Sequence, residues 1–128
     1  MTQEVESRPV NLALTKFSFP IPAVISILHR LSGIGLFFGS LYLIFMLVLS
    51  LRDEQSFAQV SFLLTLPIHK VIVWLISSMV IFHIVAGIRH LLLDFHIGTS
   101  LHAARRSSYW VLIISAVLVV VEGVWLFL

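Results

Sequence analysis

Three apolar runs, each about as long as a bilayer core is thick, leave this chain few possible folds. The first follows a polar turn or two (Ser26, His29, Arg30, Ser32) and continues unbroken from Gly33 to Leu51. The second occupies the middle of Ile68–Asp94, and the third fills Tyr109–Leu128. A hydrocarbon layer about 30 Å thick takes roughly 20 apolar residues as a helix. Inside it every backbone group must be bonded within its own segment or a closed barrel. The expectation is an all-α integral membrane bundle with transmembrane helices over about 23–51, 68–94 and 109–128, which together form a membrane domain at 23–128.

Composition agrees, since 59% of the 128 residues are hydrophobic and 11% are charged, whereas soluble domains are about half apolar. Spans on this scale are expected to leave no room for a separate soluble catalytic domain among these 128 residues. The eight Lys and Arg outnumber six acidic residues, but they are dispersed at the ends of apolar runs. That pattern serves anchoring and topology, not the tracking of phosphates, so nucleic acid is not expected as a partner. Without cysteine the chain cannot ligate an iron–sulfur cluster by thiolates or attach a c-type haem.

Residues 1–22 carry Pro9, Pro20 and Pro22, each of which removes a backbone donor and disfavours helix just before it. This segment is expected to be irregular, outside the hydrocarbon and not a cleavable signal peptide. Arg52, Asp53 and Glu54 end the first span, a short amphipathic connection follows, and Pro67 opens the next helix where a missing amide does no harm. Gly98 and the run HAARRSS are read as the second loop. Six of the eight basic residues (Arg8, Lys16, Arg30, Arg89, Arg105, Arg106) fall on one face and two (Arg52, Lys70) on the other. The positive-inside rule then puts the N-terminus in the cytoplasm.

Ionisable groups within a span are costly and usually face a bundle interior or cavity. On the second helix His83, Gly87, His90 and Asp94 are spaced four, three and four apart, which is one stripe of a 3.6-residue helix. A b-type haem asks for such a stripe: a deep imidazole for iron, a residue without a side chain beside the ring, and polar groups at the rim. His83 lies about 10 Å deeper than His90. The alternative is that His83 only hydrogen-bonds between helices, and that Arg89 and His90 only reach headgroups at the rim. On the first helix Ser26 and Arg30 offer a hydroxyl and a permanent charge to a quinone carbonyl or a haem propionate, although Ser26 alone can bond its own backbone. Gly35 and Gly39 have the GxxxG spacing of close helix approach. Glu122 is read as solvated near the outer interface.

RPVNL at Arg8–Leu12, SILHRLSG at Ser26–Gly33 and HIVAGIRHLLLDF at His83–Phe95 together resemble the cytochrome b membrane anchor of bacterial and mitochondrial succinate dehydrogenase, or complex II. The resemblance implies that His83 is an axial ligand of haem b and that His29, Arg30 and His90 lie near its propionates. It implies that Ser26, Ile27 and Arg30 line a ubiquinone site, with Asp94 near the iron–sulfur subunit. It further implies a second small anchor supplying the other axial ligand, and iron–sulfur and flavoprotein subunits that hold the clusters and FAD. The location implied is a bacterial inner membrane, among its lipids, with no catalytic residue for succinate oxidation in this chain. A fumarate reductase anchor working with menaquinol, or a structural anchor without haem, are the alternatives.

Overall fold

The computed structural model describes residues 19–128. The signature RPVNL and most of the irregular segment expected over 1–22 therefore lie outside the described residues. Four helices follow in order: α1 (Ile21–Ser50), α2 (Glu54–Thr65), α3 (Pro67–Asp94) and α4 (Leu101–Phe127). Three of them, α1, α3 and α4, are long and apolar enough to cross a membrane, as the hydropathy pattern requires.

The helix ends explain the boundaries. Helix α1 starts two residues earlier than expected, at Ile21, because Pro20 is extended as its N-cap and Pro22 falls in the first turn, where amides have no partner to lose. Asp53 accepts a 2.7 Å bond from the Ser56 amide and so caps α2. Leu66 alone separates α2 from α3 (φ −70°, ψ 139°), since the residue before Pro67 is pushed out of the helical region. Helix α3 closes with His96 at φ 60°, with the Ile97 amide on the Leu92 carbonyl and the His96 amide on the Leu93 carbonyl. This paired closure is the Schellman arrangement.

One expectation fails here. HAARRSS is not a loop but the opening turns of α4, which begins at Leu101 with Ser100 accepting from the Ala103 amide at 3.3 Å. Ala and Arg are good helix formers, so a serine cap suffices to start the helix at the rim, well before the apolar run.

Ile25, Ala86 and Val111 are buried where α1, α3 and α4 meet, with Ile21, Phe82 and Val85 packed around them. Most other large apolar side chains face outward, among them Phe37, Phe38 and Val120, as lipid-facing residues do. With lipid as apolar as the core, helices associate through close packing and hydrogen bonds. At Gly39 a Cβ would stand 3.0 Å from the Ile76 side chain, and at Gly35 it would overlap the Met79 sulfur. The GxxxG pair is thus where α1 and α3 touch.

Candidate functional site

Because α1 and α3 run in opposite directions, the start of α1 meets the end of α3. Three imidazoles come together there. The His29 ring stacks on His83 at 4.1 Å between centroids and on His90 at 5.0 Å, tilted 23° and 26°. The resemblance groups His29 with His90 near the rim; the structure sets it between the rim histidine and the deep one.

Two of the rings, His83 and His90, are held by different neighbours. His83 Nδ1 is 2.9 Å from the Ser32 hydroxyl. His90 lies between the Ala86 carbonyl, 3.2 Å from Nδ1, and the Ser26 hydroxyl, 3.4 Å from Nε2. His29 Nε2 is buried and has no hydrogen-bond partner among the described residues. Glycines provide the room: a Cβ on Gly33 would be 3.2 Å from His83 Cε1, and one on Gly87 would be 3.4 Å from His29 Nε2. His83, Gly87 and His90 thus share the α1-facing stripe that their spacing predicts, whereas Asp94 is exposed at its end.

Ile27 and Arg30 lie on the exposed side of α1. Ile27 is 45% exposed, and Arg30 is exposed with no hydrogen bond among the described residues. Ser26 is half-buried and turned to His90. The residues expected to receive a quinone therefore form an outer edge beside the imidazoles, with one member, Ser26, joining the two.

Arg89 behaves unlike a rim cation. It is 6% exposed, and its Nε and Nη2 donate to Ser107 Oγ at 3.0 Å and the Ala104 carbonyl at 3.2 Å. The early start of α4 is what puts these acceptors within reach, so Arg89 ties α3 to α4 instead of reaching headgroups. Glu122 also departs from the solvated reading: it is half-buried, and its Oε2 is buried without a partner among the described residues.

The set of donors fits a planar iron cofactor better than a bare ion. Among the described residues no three or more His, Cys, Asp or Glu side chains converge as a metal cage. Stacked rings cannot all point at one ion. What is present suits a haem: one imidazole with a nitrogen left for iron, a buried imidazole nitrogen without a partner, and glycines that keep side chains clear of the rings.

Residues 4–121 match the family described as succinate dehydrogenase/fumarate reductase transmembrane subunit. The succinate dehydrogenase cytochrome b556 subunit of Coxiella burnetii is 40% identical over 123 residues, covering 93% of this chain and 96% of that protein. The subunits of the same name from Rickettsia prowazekii (32% identical, 91% of each chain) and Paracoccus denitrificans (27%, with 89% and 88% covered) are also similar.

Proposed function

The chain belongs to the succinate dehydrogenase/fumarate reductase transmembrane subunit family, and on that footing we propose that it is the haem-b-binding anchor of a succinate:ubiquinone oxidoreductase. It is a multi-pass protein of the bacterial inner membrane and part of an oxidoreductase complex. The observation that carries the haem reading is the imidazole stack at one end of the bundle, where His83 keeps a ring nitrogen for a metal.

In this reading His83 would hold the haem iron from this chain, and a second small anchor subunit would supply the other ligand. His29, Arg30 and His90 hold the propionates at the rim. When bound, the haem supplies a one-electron carrier beside the quinone. A flavoprotein subunit with FAD and an iron–sulfur subunit with its clusters, both docked on the cytoplasmic face, would supply the electrons from succinate. The six-to-two distribution of basic residues supports a cytoplasmic N-terminus.

Ser26, Ile27 and Arg30 line the quinone site. Reduction of ubiquinone takes two electrons and two protons. The exposed Arg30 guanidinium offers charge-assisted hydrogen bonds to a quinone oxygen as negative charge develops on it. Ile27 packs on the ring. The Ser26 hydroxyl, 3.4 Å from His90 Nε2, offers a second hydrogen-bond donor to a quinone oxygen.

A reduced-minus-oxidised spectrum of the natively purified complex, together with turnover in both directions, tests this reading. A b-type spectrum and succinate-driven ubiquinone reduction are expected. A preference for fumarate reduction by menaquinol would assign the same scaffold to a fumarate reductase. Absence of haem would reduce the histidines to helix-joining residues.

A further inference from the structure

Ser32 appears in the sequence only as one polar residue of the opening turns of α1. In the structure it is 8% exposed, and its hydroxyl makes two contacts. Oγ is 2.7 Å from the carbonyl oxygen of His29, to which it donates, and 2.9 Å from His83 Nδ1.

A serine hydroxyl has one proton and two lone pairs. Two oxygens 2.7 Å apart with no proton between them repel, so a contact that short places the proton on the line to the carbonyl. Only a lone pair then remains for His83, and Nδ1 must carry the hydrogen and donate it. In a neutral imidazole the other nitrogen is the unprotonated one, so the arrangement selects the form of His83 whose Nε2 lone pair is available to a metal. The opposite tautomer would turn the serine proton towards Nδ1 and leave the 2.7 Å oxygen pair without one.

The ring is also fixed in position. His29 covers one face at 4.1 Å, and the ring edge lies in the notch at Gly33, where a Cβ would come within 3.2 Å of Cε1. Rotation would break the bond to Ser32 and collide with one of these neighbours.

We propose that Ser32 is the positioning residue of the haem site, which fixes the tautomer and ring orientation of His83 so that Nε2 is presented to iron. The inference rests on the reading of His83 as an axial ligand. Removing an acceptor from the far nitrogen of a metal-bound histidine typically weakens metal affinity by about 10–100-fold and makes the imidazole a poorer donor. A poorer donor favours ferrous over ferric iron.

The test compares Ser32→Ala with the unaltered protein in the intact membrane complex, reading haem per flavin and the haem midpoint potential, with succinate oxidation by a soluble dye as the check on assembly. Ser32→Ala is expected to lose haem more readily, by about tenfold or more in affinity, and to shift the midpoint upward. Ser32→Thr, which keeps the hydroxyl, should restore both, while the equally shaped Ser32→Val should behave as Ala does. If Ser32→Ala does not assemble, the Thr and Val pair decides by the same two readings. Unchanged haem content and potential in Ser32→Ala, or equal behaviour of Thr and Val, would overturn the proposal. His83→Ala run in parallel separates the two layers: haem retained there overturns the ligand reading itself, whereas haem lost there but unaffected by Ser32 overturns only the role of Ser32.

Discussion

The two ends of the helix bundle are both polar, and both carry histidine, yet they are built differently. At the α2 end, Tyr42 OH and His69 Nδ1 are 2.7 Å apart, Lys70 Nζ donates to the Leu126 carbonyl at 3.1 Å, and Trp74 Nε1 donates to the Val119 carbonyl at 3.2 Å. These groups join helices and are largely satisfied by doing so; the partnerless Glu122 Oε2 is the exception. At the other end, His29 Nε2 is buried without a partner, Arg30 is exposed and unbonded among the described residues, and His83 is bonded at one ring nitrogen. Buried polar groups normally find partners, so the buried His29 nitrogen, set beside an exposed guanidinium and an imidazole with one ring nitrogen to spare, indicates where another molecule completes the site.

The contrast is broken or sharpened most strongly at one histidine from each end. His83→Ala is expected to remove most haem from the assembled complex, since losing a ligand costs more than the 10–100-fold typical of its outer partner. His69→Ala should keep the haem. Equal haem in both variants would erase the distinction between the ends. Next in size is Arg30→Ala, which should retain haem but lower quinone reductase kcat/KM by about ten- to hundredfold, the worth of a charge-assisted hydrogen bond of about 1.5–3 kcal/mol. Arg52→Ala, at the opposite end, should leave that rate unchanged in the same assay.

Smaller effects belong to the α2 end. Tyr42→Phe removes an interhelical hydrogen bond worth about 0.6 kcal/mol in a membrane, and should appear as a slight loss of stability in detergent with haem and turnover intact. The smallest concerns Asp53. The Ser56 amide bonded to its carboxylate holds its pKa below the ordinary 3.8. The stabilisation of α2 is therefore fully present above the unfolded value and is lost as pH falls through the lower folded one. Amide exchange in α2 should accelerate in that acid range, and Asp53→Asn, which cannot titrate, should flatten the dependence.

The spans were legible because hydropathy and membrane thickness leave little choice, and Pro67 marked its helix start to within a residue. The second loop was misread because HAARRSS is polar, and polarity at a membrane rim does not distinguish a loop from a helix that emerges from the bilayer. The stripe His83, Gly87 and His90 follows from helical period alone. Its partners on α1 do not: His29 stacking and the Ser32 bond depend on the register of two antiparallel helices, which is set by Gly35 and Gly39 packing on Met79 and Ile76. The inward turn of Arg89 depended on where α4 began, so one boundary error carried a second with it. The difference between His69 and His83 lay beyond spacing, since it resides in what each ring nitrogen meets.

The most direct test of the central claim is the haem content of the unaltered complex purified under native conditions, measured as the pyridine haemochrome against copies of this chain. One b-type haem per copy is the predicted result, and a complex that oxidises succinate and reduces quinone with no haem bound would contradict it.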